Sequence, residues 1–306
     1  MEFFEISVMP FSGLSTSRIL KLRHIIGVLL AMLILSGCSA VRLAYNNAPE
    51  LGYWWLDGYL DFNSVQSARL RADLSALQVW HRQSELPLVL ATLVKTETMA
   101  AGNVSASQVC AISDELRPRL QALLDRAEPS VLALTPTFST AQLNHLAQQF
   151  EKRSEKWREE WLSGTAAERR ERRARQLVER IESFYGPLDN AQRALLQSAV
   201  ADSVFDPALN HREVLRRQQD TLQTLQGLQG GKADERKLRQ DMRALIERAM
   251  APPDADYRNY AARLQMETCT TLAGLHNSAT PAQRQQLRET LRDYAGDVRA
   301  LMASPR

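Results

Sequence analysis

The stretch PAQRQQLRETLRDYAGDVRALM, residues 281–302, sets Leu287, Leu291, Tyr294, Val298 and Leu301 at steps of 4, 3, 4 and 3. Such steps place all five on one side of a helix with 3.6 residues per turn. Further back, Leu143, Leu146, Phe150, Trp157 and Trp161 form a second stripe, with Ser154 as its polar member. Leu238, Met242, Leu245 and Ala249 repeat the spacing, as do Leu215, Leu222 and Leu225. No comparable stretch alternates with period two. The chain reads as all-α, a multi-helix body of antiparallel packed helices.

Start signals agree with the stripes. Ser139-Thr140-Ala141-Gln142, Thr165-Ala166-Ala167-Glu168, Asp189-Asn190-Ala191-Gln192 and Thr280-Pro281-Ala282-Gln283 each set a capping residue three before Gln or Glu. The cap oxygen can accept from a free backbone N–H while the longer side chain reaches back. Pro281 suits a first helical position. Breaks fall at Gly102-Asn103, Thr135-Pro136, Ser163-Gly164, Gly186-Pro187, Gly230-Gly231 and Pro252-Pro253. These marks predict helices at about 49–61, 64–83, 85–100, 106–126, 140–162, 166–184, 190–203, 208–228, 233–250, 255–276 and 281–302. No linker is long or polar enough to divide 49–306, which is expected to be one domain.

Composition narrows the function classes. With 13 Gly and 12 Pro in 306 residues, turns are too few for a β sandwich or barrel. Three Cys supply neither a disulfide-dense scaffold nor a four-thiolate zinc site. A net charge of +3, from 38 basic and 35 acidic groups, is too balanced for a dedicated nucleic-acid binder.

The amino terminus carries an address. Arg18, Lys21, Arg23 and His24 precede an apolar run from Ile25 to Leu35. Eleven helical residues rise about 16 Å, short of a hydrocarbon core of roughly 30 Å, so the run reads as a secretory signal peptide. It ends in Leu35-Ser36-Gly37-Cys38, which resembles the bacterial lipobox. That resemblance implies cleavage before Cys38 and acylation of its thiol, with two or three chains anchoring stably where one would not. Ser39 stands where an Asp would retain such a lipoprotein in the inner membrane, which implies export to the periplasmic face of the outer membrane. The domain plan is thus a signal peptide (1–37), an acylated Cys with a short tether (38–48) and a helical periplasmic domain (49–306). The stretch before Arg18 carries Glu2 and Glu5 and is long for a signal, which points to translation starting downstream of Met1.

Two further resemblances concern the mature chain. Phe138-Ser139-Thr140-Ala141-Gln142, Leu188-Asp189-Asn190-Ala191-Gln192 and Ala279-Thr280-Pro281-Ala282-Gln283 look like the Leu-Thr-x-x-Gln helix starts of small periplasmic stress chaperones, beside the plain reading of capping with an apolar staple. Tyr45-Asn46-Asn47, Trp55, Asp61, Gln66, Trp80-His81-Arg82 and Glu85-Leu86-Pro87 resemble a proteobacterial lipoprotein family known as domain of unknown function 6279. That family implies a lipid-anchored helical envelope protein and adds no mechanism.

Candidate chemistry is sparse. Trp80, His81, Arg82 and Glu85 form the best polar cluster. A carboxylate-held His81 would serve as acid or base near neutral pH. The plainer reading packs Trp80 in the core, pairs Arg82 with Glu85 on the surface and starts a helix at Ser84. The mature chain's His81, His145, His211 and His276 make no short ligand spacing, and no metal or cofactor is expected. Gly-x-Ser-x-Gly, phosphate-loop and dinucleotide patterns are missing from the sequence.

Cys110 and Cys269 read either as a disulfide, in an exported compartment, or as two buried thiols. Arg169, Arg170, Arg172 and Arg173 read as a solvated face supported by Glu168–Arg172 and Glu171–Arg175 pairs, or as a contact for anionic lipid. Tyr45, Tyr53, Trp54, Trp55, Tyr59 and Phe62 read as a core anchor or as a segment lying on the bilayer. The expectation is a non-enzymatic, lipid-anchored protein acting through protein or envelope contacts, with a chaperone-like variant. Its partners would be the membrane, through the anchor, and envelope proteins. The alternative is an envelope hydrolase or metal-dependent enzyme using His81 and Glu85.

Overall fold

The computed structural model describes residues 37–231 and 234–303, with side chains from residue 40 onward. Residues 1–36 of the expected signal peptide, including Leu35 and Ser36, lie outside the described residues, as does the Cys38 side chain.

Twelve α-helices and no strand make up the described residues. They are α1 (Gly37–Asn46), α2 (Ala48–Leu60), α3 (Ser64–Ser84), α4 (Leu86–Met99), α5 (Ala106–Leu134), α6 (Thr140–Trp157), α7 (Ala166–Tyr185), α8 (Asn190–Ala201), α9 (Pro207–Leu228), α10 (Glu235–Met250), α11 (Ala255–Ser278) and α12 (Pro281–Ala303). The caps do what the spacing requires. Ser139, Thr165 and Asp189 each accept from the backbone N–H three residues on, while Gln142, Glu168 and Gln192 accept from the cap's own N–H. Asn63 with Gln66 and Ser105 with Gln108 form two more such boxes. Gly186 ends α7 at φ 75°, where a side chain would be strained.

Four sequence expectations need correction. The tether 38–48 is helical: α1 docks on α12 through Arg42 Nε to Asp297 Oδ1 at 3.1 Å, and Tyr45 packs beside Leu86, Val298 and Leu301. Helix 106–126 runs on to Leu134 through Pro118 and Pro129. Each interior proline costs a helix about 3 kcal/mol. Here α5 is held at one end by a covalent bond to α11 and at the other by buried Leu132 and Leu134. The helix at 140–162 switches to a π turn from Arg158 to Leu162. Finally, Leu215 (40% exposed) and Tyr294 (37% exposed) lie at the edges of their stripes, outside the core.

Apolar burial is divided among three clusters. The largest gathers Tyr53, Leu70, Leu132, Leu134, Phe138, Leu143, Leu146, Leu225, Leu228, Leu238, Met242 and Leu245 from α2, α3, α5, α6, α9, α10 and the turn before α6. Val178, Ile181, Leu188, Leu196 and Leu275 join α7, α8 and α11, and Leu86, Val298 and Leu301 join α4 and α12. Ser154 is fully buried and donates to Gln218 Oε1 at 3.2 Å, which explains the polar member of its stripe.

Candidate functional site

Tyr45-Asn46 and Trp80-His81-Arg82 are brought together where α1 crosses the end of α3. The Tyr45 hydroxyl lies 3.0 Å from His81 Nδ1, and Arg82 Nη2 donates to Asn46 Oδ1 at 2.9 Å. Gln78 adds a bond to the Tyr45 carbonyl, and the Arg82 guanidinium lies 5.6 Å from the Tyr45 ring centre. Burial holds the His81 pKa below its ordinary value, against the opposing charge of Glu85, so the ring is neutral at pH 7. Burial likewise raises Tyr45, opposed by Arg82.

Glu85 is the hinge between α3 and α4, since Pro87 supplies no N–H to continue the helix. Its carboxylate is buried, and its ion pair is with Arg119 Nη1 on α5 at 3.5 Å. This corrects the expected surface pair of Arg82 with Glu85: one arginine is claimed by Asn46, and the carboxylate faces another helix. It also corrects the carboxylate-held histidine, because the partner of His81 is a phenol. Trp80 is half-buried, short of the core position expected for it. The cluster fastens α1 to α3.

A second tyrosine–histidine pair escaped the sequence reading. His276 Nε2 lies 2.8 Å from the Gly102 carbonyl, so Nε2 carries the proton and Nδ1 accepts from the Tyr185 hydroxyl at 2.9 Å. Burial lowers His276 and pushes Tyr185 up to about 12. Asn277 completes the clamp, exchanging 2.9 Å bonds with the backbone N–H and carbonyl of Val104.

The capping glutamines are buried in reciprocal pairs. Gln192 and Gln283 each donate Nε2 to the other's Oε1, at 2.8 and 2.9 Å. Each also donates across the junction, Gln192 to Ser278 O at 3.2 Å and Gln283 to Pro187 O at 2.8 Å. Gln66 and Gln142 repeat the pattern: each bonds the other's Oε1, and they reach Thr137 O and Asp61 O at 3.0 and 3.1 Å. In all four the accepting carbonyl lies two residues before the partner's cap. Asp61 presents its carbonyl from a left-handed conformation at φ 47°, which Asp tolerates better than most residues. The signal for this was the glutamine itself, at the third helical position after an apolar residue and a cap, four times over.

The arginine segment is largely spent within the fold. Arg169 Nη1 donates to Gly164 O at 2.6 Å, and Arg172 Nη2 donates to Glu160 O and Ser163 O at 3.0 Å. Both satisfy carbonyls released at the end of the π turn. Arg173 bonds Ser203 at 3.0 Å and lies 4.2 Å over the Phe205 ring. Only Arg170 of the four makes no hydrogen bond or ion pair among the described residues. The expected Glu168–Arg172 bridge does not form, because the Glu168 carboxylate accepts from the Thr165 N–H at 2.7 Å.

Cys110 and Cys269 form a disulfide that joins α5 to α11. Among the described residues no group of three or more His, Cys, Asp or Glu is placed to hold a metal, and no helix is long and apolar enough to cross a membrane.

The six early aromatics divide. Tyr53 is buried, Tyr59 and Phe62 pack against the main core, and Tyr45 belongs to the His81 cluster. Trp54 and Trp55 remain 60% and 59% exposed on the outer side of α2, beside Leu51 at 47%, with Leu43 on α1 at 66%. Leu51, Trp54 and Trp55 are spaced to share one helical face.

A family model described as a family of unknown function, DUF6279, matches residues 58–258, more than half of the chain. No curated protein and no solved structure matches it.

Proposed function

We propose the following role for this chain, which belongs to the DUF6279 family: a lipid-anchored envelope protein, held by acylated Cys38 to the periplasmic face of the outer membrane and acting through protein and envelope contacts. The observation that carries this reading is the exposed apolar face of Leu51, Trp54 and Trp55 on α2, with exposed Leu43 on α1, the helix that contains Cys38. Tryptophan is at home where hydrocarbon meets headgroup, and a face of this composition beside an anchor rests on a bilayer. Because α1 is a docked helix, the body lies directly against the surface to which Cys38 is fixed. The polar clusters support the same reading, since His81, Glu85 and three of the four arginines are engaged in joining helices.

Fractionation of cells tests this. Wild-type protein is expected in the outer-membrane band of a density gradient. Cys38→Ser, which blocks acylation and cleavage, is expected to leave that band. Trp54→Ser/Trp55→Ser in the acylated protein is expected to keep the band but lose quenching of its tryptophan fluorescence by brominated lipid. Recovery of the wild type in the cytosol would overturn the assignment.

A further inference from the structure

Between α2, α3, α5, α9 and α10 lies a cavity of about 420 Å³. The space is open to solvent along one side rather than a sealed void, so a guest can enter it from outside. Small-molecule sites occupy roughly 300–1,000 Å³, and this one falls in their lower range. Leu60, Leu74, Val131 and Met242 are among the side chains that wall it, and such a lining favours an apolar guest over water. Ala76 and Arg126, which also line it, are exposed, so the cavity reaches the surface beside them.

Two charged side chains line the cavity, Asp73 and Arg126. Asp73 is neutralised by Arg69, whose Nε donates at 2.8 Å. Arg126 makes no ion pair or hydrogen bond among the described residues, which leaves a guanidinium at the edge of an apolar chamber. The geometry points to a binding site for a single-chain anionic lipid, a fatty carboxylate whose tail fills the chamber and whose head meets Arg126. A guanidinium presents two parallel N–H donors to a carboxylate, so the match is of shape as well as charge. The volume suits one chain rather than two. This site stands apart from the anchor and does not require acylation of Cys38.

Photolabelling of the full chain, held in amphipol so that no detergent competes, tests the assignment. A diazirine-bearing dodecanoate is expected to label residues 70–77 and 126–138 saturably, and unlabelled dodecanoate is expected to displace it. Each methylene added between octanoate and dodecanoate should strengthen displacement about fourfold. Dodecanol, which lacks the charge, should displace about tenfold less well, and Arg126→Glu should reduce labelling by a similar factor. Ala127→Trp and Ser130→Trp, which fill the chamber, should abolish labelling while the thermal melt is kept. Failure of dodecanoate to displace label from these segments in the unaltered protein would overturn the proposal. So would equal displacement by dodecanol, or full labelling in both filled variants.

Discussion

Replacing Gln192 by Ala removes one side of a junction whose every polar atom is used. The Oε1 of Gln192 accepts from the Asp189 N–H at 3.0 Å and from Gln283, and its Nε2 donates to Gln283 and to Ser278 O. Four groups lose a partner: a backbone N–H, a backbone carbonyl, and the donor and acceptor of Gln283. Gln192 is 2% exposed and Gln283 is 9% exposed, so water does not readily replace the lost bonds. Gln283 keeps its bonds to the Thr280 N–H and the Pro187 carbonyl, so at about 1 kcal/mol net for each of the four lost hydrogen bonds the expected loss is about 4 kcal/mol. Gln283→Ala should cost a similar amount for the same reason. The double variant removes both halves of the amide exchange together, so its loss should fall short of the sum by about 1–2 kcal/mol. Urea unfolding of the four proteins, with equal m values, measures all three quantities. Additive single losses, or a loss below about 0.5 kcal/mol for Gln192→Ala, would refute the claim that this exchange holds α8 to α12.

Three further outcomes follow from named contacts. Cys110 and Cys269 are 159 residues apart in sequence, and closing a loop of that length removes about 5 kcal/mol of chain entropy from the unfolded state. Cys110→Ser/Cys269→Ser should therefore lower the urea midpoint markedly, and reductant should do the same to the wild type but leave the variant unaffected. His276 is held below its ordinary pKa by burial, so the unfolded chain takes up the proton first. Stability from this site should be complete above about pH 6.5 and decline as pH falls further; His276→Gln should flatten that slope in urea midpoints taken between pH 7.5 and 5. Tyr185, raised to about 12 by burial, has the opposite dependence, losing stability as pH rises through 10, and Tyr185→Phe should remove its step from the absorbance titration near 295 nm.

Periodicity and capping chemistry made most of the helices legible, because both are local. Leu143, Leu146 and Leu301 needed only their spacing to be placed in the core. The errors arose where distant contacts overrule local preference. The helix expected to end at 126 runs on through Pro129 to Leu134, with buried Leu132 and Leu134 at that end and a disulfide to α11 at the other. Residues 38–48 are too few to repeat a stripe, and their helix is docked on α12, some 250 residues away in sequence.

The polar clusters show the same limit. Trp80-His81-Arg82 and Tyr45-Asn46 were both visible as motifs, but nothing in their spacing says that the phenol meets the imidazole. Gln142, Gln192 and Gln283 each looked complete as a local box, and only the fold reveals that they also pair across helices, Gln142 with Gln66. The arginine run looked like a charged surface because its targets, backbone carbonyls at Glu160, Ser163 and Gly164, carry no sequence signature.

Mass spectrometry of the amino-terminal peptide released from purified membranes tests the anchor at its source. The expected peptide begins at Cys38, which bears a diacylglyceryl group on sulfur and an acyl group on its amine. A peptide running unbroken from Leu35 through Cys38 with a free thiol would contradict it.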